Sequence, residues 1–392
     1  MRILAVTTRF PFPVVGGDRL RFFKICEGLS KYHDLDLISL TDNPRTPIES
    51  SHFETFNVIE TIYLSRFRSF WNCLRGLFKY LPLQVMYYHS DQLRNRLRHA
   101  SNDYDCVFLH LVRLGEYIGC INAPIWLEMT DAISLNYSRV IATKKTLALR
   151  GLIYAFEYKR LVKYEQAIIR KVNGISLISE VDRCWLERTK PFENMAVVSN
   201  GVNLLANEFK ERSIQNNNIV FIGNMLSYQN LDACLYFANE VLPVICERAR
   251  RDIKFRIIGQ ISRSDSMRLS RIKNVEVFGK FDAIEDALVG SFAGVCPVRL
   301  GAGLQNKILE YMALGLPTVS TSVGLEGLKA KKGRDLLVAD DPEIFAQYVL
   351  DILSDRELAR EYSKNGRRYV ERHHDWDTEI RLLSDRIEKL CL

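Results

Sequence analysis

Residues 295–324, VCPVRLGAGLQNKILEYMALGLPTVSTSVG, decide how the rest of the chain is read. An apolar strand ends at Pro297, and the turn Gly301-Ala302-Gly303 follows. Leu304, Ile308, Tyr311 and Met312 then recur at i, i+4, i+7 and i+8, the period of a helix with one buried face. Gly315 supplies a left-handed stop and Pro317 forbids continuation. A second apolar run from Thr318 to Ser322 completes a βαβ unit, with polar residues gathered where its helix begins.

Backbone N–H groups at a helix start are unpaired and carry partial positive charge, so they attract phosphate. Gly303 lets a ligand approach the backbone, and Arg299 stands just before the turn. Lys307 and Glu310, three apart, share one helical face. The cation suits a diphosphate and the carboxylate suits two ribose hydroxyls; the same pair also describes an ordinary surface i,i+3 ion pair. The GxxxxGK[ST] pattern is absent, which excludes a P-loop NTPase.

The chain of 392 residues has room for two domains. Its 47% hydrophobic and 26% charged content is that of a soluble globular protein, and no apolar window reaches membrane-spanning length. The start MRILAVTTRF reads as a first strand rather than a signal peptide. Nine cysteines stand singly with no CxxC pair, which argues for a reducing compartment and against structural zinc or a disulfide framework. The expected location is cytoplasmic, peripheral on the inner face of the membrane. The net charge of +7 belongs to residues 1–200, with 27 Lys and Arg against 20 Asp and Glu; the remainder is balanced at 27 against 27.

In the N-terminal half, strand Arg2–Thr7 leads through the pair Gly16-Gly17 to a helix from about Asp18 to Tyr32. Leu20, Phe23, Ile25 and Leu29 are expected to face inward. Such a glycine pair offers backbone N–H groups to an anion, or simply makes a turn. The strings Asp34-Leu35-Asp36 and Asp103-Tyr104-Asp105 spell DxD, but each precedes an apolar strand and is set aside as a metal site. Between Thr61 and Ala100 seven Lys and Arg face one acid, with Phe67, Phe70, Trp71, Leu74, Leu77 and Phe78 among them. A second basic stretch spans 139–171, with nine Lys and Arg against two acids. Both suit an anionic membrane surface; the alternative is core aromatics under a solvated basic face. No nucleic-acid module is present. His110 ends one apolar strand and Asp131 lies just past another, where parallel α/β sheets bind their ligands.

Asn200-Gly201-Val202-Asn203 and the polar run 211–218 mark a hinge, after which strands and helices alternate again. Strand Ile219–Ile222 runs into another glycine turn, Gly223-Asn224-Met225. The expected architecture is α/β, with two doubly wound Rossmann-like domains facing a cleft.

VVSNGVN at 197–203, FIGNMLSYQNLDACLYFANEVLPVI at 221–245, VFGKFDAIEDAL at 277–288 and the segment 297–328 together resemble family 4 of the retaining glycosyltransferases, which have the GT-B fold. The resemblance covers most of residues 197–340 and is looser before them. It implies an N-terminal acceptor-binding domain, residues 1–200, joined by a helix at about 375–392 that crosses back, and a C-terminal nucleotide-sugar domain, residues 201–374. It implies sugar transfer from a nucleotide-diphosphate donor to a glycan or lipid-linked acceptor, with no metal and no other cofactor. His110 and Asp131 are the catalytic candidates. The donor-binding candidates are Gly16, Gly17, Gly223, Asn224, Arg299, Gly303, Leu304, Gln305, Asn306, Lys307 and Glu310. Ala302 stands where the family has the first glutamate of its E-x7-E signature. Two other readings remain open at this point, a non-catalytic glycosyltransferase-like subunit and a GT-B nucleotide-sugar epimerase.

Overall fold

Seven apolar runs build the first sheet: β1 (Arg2–Thr7), β2 (Asp34–Thr41), β3 (Val58–Tyr63), β4 (Cys106–His110), β5 (Ile125–Thr130), β6 (Gly174–Leu177) and β7 (Met195–Val197). The structure is a computed structural model describing residues 1–14, 16–77, 79–142, 148–188, 190–204, 209–210, 216–279, 284–300 and 303–391. The strand order is β3-β2-β1-β4-β5-β6-β7, with every pairing parallel. Parallel strands need crossovers, here made by helices α1 (Gly17–Leu29), α2 (Arg66–Gly76), α3 (Leu83–Tyr87), α4 (Asp91–Ala100), α5 (Ile133–Ala142), α6 (Ala148–Ile168) and α7 (Glu180–Glu187). Helices on both faces explain why β4, CVFLH, is buried along its whole length.

The second sheet contains β8 (Asn218–Ile222), β9 (Lys254–Ile258), β10 (Val275–Phe278), β11 (Ser291–Cys296), β12 (Thr318–Ser320) and β13 (Leu337–Val338). Its order is β10-β9-β8-β11-β12-β13, again parallel throughout. Around it lie α8 (Tyr228–Tyr236), a π-helical turn Phe237–Val241, α9 (Leu242–Arg248), α10 (Arg263–Ser270), α11 (Ile284–Ala287), α12 (Asn306–Ala313), α13 (Ser322–Leu325), α14 (Pro342–Ser354) and α15 (Arg356–His373). α16 (Trp376–Cys391) follows.

The chain divides into two compact units, Met1–Ser199 with Asp377–Leu392, and Asn200–Trp376. Each has its own apolar core, so each is a doubly wound α/β layer structure in its own right. α16 belongs to the first unit, where it buries Ile380, Leu383 and Ile387.

Local differences from the sequence expectation have identifiable causes. α1 buries Arg21, Phe22, Ile25, Cys26 and Leu29, whereas Leu20 and Phe23 are only half-buried. The charge on Arg21 is no obstacle, because Glu128 meets it in the interior. The strand expected to reach Ser322 stops at Ser320, where the Thr321 hydroxyl accepts from Gly324 N at 3.0 Å and starts α13. The acids of the DxD strings are used locally: Asp36 accepts from Val58 N and Tyr104 Oη, and Asp105 accepts from Arg2 N. Phe67, Phe70, Trp71, Leu74 and Leu77 are exposed rather than core. Phe78 and residues 143–147 and 211–215 lie outside the described residues, as do Gly301 and Ala302.

Candidate functional site

In the second unit, β8 and β11 are neighbours although β9 and β10 separate them in the chain. Crossovers therefore leave this pair toward opposite faces and open a crevice at the carboxyl ends, the place where such sheets bind ligands. The loops after these two strands carry Gly223, Asn224, Arg299 and residues 303–305. α12 is fixed beside them because the buried Tyr311 Oη accepts from Ile222 N at 2.8 Å.

Gly303 has φ +98°, which favours glycine, and a Cβ there would meet no atom, so the backbone is open to a ligand. Gln305 is the N-cap of α12 and makes no side-chain capping bond. The first N–H groups of the helix thus lack the usual side-chain acceptor. Gln305 instead donates to Gly303 O at 3.3 Å and accepts from Lys307 Nζ at 2.9 Å. Lys307 is buried, donates to Asn230 Oδ1 at 3.2 Å, and lies 4.8 Å from the centre of the Phe221 ring. Asn230 Nδ2 in turn donates to Asn224 O at 3.0 Å, tying the β8 loop to the lysine. Gly223 N donates to Ile258 O, Asn224 Oδ1 accepts from Leu226 N, Asn306 Oδ1 accepts from Asn200 Nδ2, and Leu304 packs on the core.

Glu310 stands one turn beyond Lys307 and is half-buried. Burial raises its pKa, and Lys307 opposes that rise. Its carboxylate has no hydrogen-bond or ion-pair partner among the described residues. Arg299 is placed differently. Its guanidinium meets Asp232 at 3.2 Å and Glu240 at 3.8 Å, and lies 4.0 Å from the centre of the Tyr236 ring. Lys307 is the cation held at the start of α12.

In the first unit the same reversal of strand order falls between β1 and β4. His110 ends β4, and its Nδ1 lies 3.1 Å from Oγ1 of Thr7 at the end of β1. Its Nε2 is buried with no partner among the described residues, and Phe22 packs 4.7 Å from the ring. Burial, reinforced by Arg21 and Arg113, pushes His110 down to about 3, so the imidazole is neutral near pH 7. Asp131, just past β5, accepts from Asn136 Nδ2 at 2.6 Å. Burial and Asp182 push it up to about 6. Gly16, with φ +98°, and Gly17 open α1.

Beside β1, β2 and β3 lies a cavity of about 680 Å³ whose lining includes Thr8, Arg9, Phe12, Arg19, Asp42 and Arg66. Thr8 is buried, and its Oγ1 has no partner among the described residues. Arg9 donates to Tyr88 Oη at 2.9 Å, and Arg66 pairs with Asp42 at 2.7 Å.

Residues 216–355 match the family model described as "Glycosyl transferases group 1". This match lies wholly within the second unit. A Klebsiella pneumoniae protein described as an uncharacterized 44.6 kDa protein in the cps region is 25% identical, over 95% of this chain and 96% of that protein. Sucrose-phosphate synthase of Thermosynechococcus elongatus superposes with a TM-score of 0.70 at 17% identity, covering 100% of this chain and 99% of that one. The Anabaena HepE protein in complex with UDP gives 0.68 at 12% identity, over 99% and 100%. The fold is therefore GT-B, two Rossmann-like units in one chain.

Within the second unit the structure brings Gly223, Asn224 and residues 303–310 to one crevice. His110, Asp131, Gly16 and Gly17 belong to the other unit. Four contributors escape a reading of the sequence. Asn230 lies within the stretch 221–245 with nothing to single it out, yet it holds Lys307. Asp232 and Glu240 look like surface acids, yet they claim Arg299. Thr8 has no signal beyond its position after a strand.

Proposed function

We propose that the chain is a retaining, metal-independent glycosyltransferase that moves a sugar from a nucleotide diphosphate to a glycan or lipid-linked acceptor. The observation that carries this reading is the pair at the start of α12, a lysine fixed by two amides and a carboxylate left without a partner. A nucleotide diphosphate suits both: its phosphates meet Lys307 and the open N–H groups, and its ribose hydroxyls donate to Glu310. A relative from a cps region supports a role in cell-surface polysaccharide assembly; a place on the cytoplasmic face of the membrane is part of the same proposal.

In this mechanism the bond from the anomeric carbon to the diphosphate oxygen breaks as the acceptor oxygen bonds to the same face. The acceptor proton passes to the departing phosphate oxygen. Lys307 and the helix start stabilise the charge growing on that phosphate, preorganised electrostatics of the kind that usually dominates. His110, neutral and with Nε2 unpartnered, orients the sugar or acceptor by hydrogen bonding and does not act as a nucleophile. Asp131 is a candidate for positioning the acceptor hydroxyl. The arginine-bearing cavity of the first unit is a candidate acceptor site.

Isothermal calorimetry with nucleotide sugars tests the donor half. Glu310→Ala and Lys307→Ala are each expected to weaken donor affinity tenfold or more, about 1.4 kcal/mol, the range for charge-assisted hydrogen bonds. Unchanged affinity in both variants overturns the assignment. A donor-hydrolysis assay then separates a transferase from a binding-only protein.

A further inference from the structure

α2 is inside out. A surface helix ordinarily buries its apolar stripe and shows water its polar face. Here Ser69, Asn72 and Gly76 are the buried residues, while Phe67 is 79%, Phe70 61% and Trp71 51% exposed. Leu74 and Leu77 continue the exposed stripe, which spans roughly 120° of the helix.

The inverted face is built, not accidental. Asn72 Nδ2 donates to His89 O at 2.9 Å, and Cys73 Sγ donates to Leu83 O at 3.4 Å. A Cβ at Gly76 would come within 2.7 Å of Met86 Cγ, so only glycine allows this close approach. From α6, Arg160 donates to Gly76 O, Leu77 O and Leu81 O at 3.2, 2.9 and 3.2 Å, satisfying carbonyls at the helix end. The Arg160 guanidinium also lies 4.0 Å from the ring centre of Phe156, itself exposed on α6 with Ile153. α2 is thus anchored through small and polar groups, and its aromatic groups remain for something else.

Charge says what that is. No acid occurs between Glu60 and Asp91, whereas Arg66, Arg68, Arg75 and Lys79 do. Arg66 and Arg68 pair with Asp42 and Asp91, but Arg75 and Lys79 are exposed with no ion-pair partner among the described residues. We propose that the outward face of α2 seats the protein on an anionic lipid bilayer, its aromatics entering the headgroup region and Arg75 and Lys79 meeting the anionic lipids. Arg66 and Ser69, from the first turn of α2, line the arginine-bearing cavity, so docking brings that cavity to the headgroups. This last clause rests on the acceptor reading above; the docking itself does not.

The test is flotation of the full chain with phosphatidylcholine vesicles containing or lacking phosphatidylglycerol. The wild type floats with the anionic vesicles, and its tryptophan emission shifts to the blue unless Trp71 is replaced by Phe. Phe70→Ser/Trp71→Ser lowers partitioning roughly tenfold or more. Arg75→Gln/Lys79→Gln, which disturbs no packing, lowers it about tenfold on anionic vesicles only. Partitioning equal to wild type in both double variants overturns the proposal. So does a wild type that ignores vesicles but self-associates through this face by sedimentation velocity. None of these readouts involves nucleotide or sugar transfer, so failure here and failure of the transferase reading are distinguishable.

Discussion

Asn230 shows how one unremarked side chain sets the charge at the α12 helix start. Its amide accepts from Lys307 Nζ and donates to Asn224 O, so it holds the lysine and the β8 loop in one arrangement. Removing it leaves Lys307 with Gln305 alone among these side-chain acceptors. Asn230→Ala is expected to weaken nucleotide binding about fivefold, roughly the 1 kcal/mol of one net hydrogen bond, with little change in melting temperature. Calorimetry beside a thermal melt checks this. At the residue scale, what was legible followed local rules. Lys307 and Glu310 stood out because helical spacing puts them on one face and a glycine turn precedes them. Arg299 stood out for the same local reason, but its true partners, Asp232 on α8 and Glu240 on the π-helical turn after it, lie dozens of residues away in the chain. Spacing carries no information about such pairs.

At the scale of elements, α1 illustrates a buried ion pair that no periodicity announces. Arg21 Nε donates to Glu128 Oε1 at 2.9 Å and its Nη2 donates to Val198 O at 2.8 Å, both deep in the first unit. Glu128 also accepts from Thr130 N and from the Ser176 hydroxyl, so one carboxylate links α1, β5 and β6. Breaking such a pair strands the surviving charge in the interior. Glu128→Gln is expected to destabilise the first unit by about 3–5 kcal/mol, and adding Arg21→Met should restore much of the loss. Urea denaturation of the single and double variants measures both. α2 posed the opposite problem. Its amphipathic period was evident, but periodicity cannot say which face turns inward. Gly76 against Met86 and Arg160 on the last carbonyls settle that, and both are tertiary contacts.

At the scale of the whole molecule, the alternation of apolar strands and helices made both sheets legible. Parallel strands buried on two faces need continuous apolar runs, and these stand out in the sequence. The two strand orders follow from the ladder pairings rather than from any run of residues. The return of α16 to the first unit depends on Ile380, Leu383 and Ile387 finding that unit's surface, supported by Lys31 paired with Asp377 at 2.6 Å and His33 Nε2 2.7 Å from Ser384 Oγ. Deleting residues 377–392 should cost the first unit about 5 kcal/mol or more, since each buried aliphatic side chain contributes about 1.5–3. Calorimetric scanning should show its transition move down while that of residues 200–376 stays in place.

That division of the chain has a consequence during synthesis. The unit whose strands leave the ribosome first receives its closing helix last, after the whole of residues 200–376 has been made. Until then the surface awaiting Ile380, Leu383 and Ile387 is uncovered, and the nascent first unit is open to chaperones and proteases. A premature stop ahead of α16 would therefore injure a unit translated long before it.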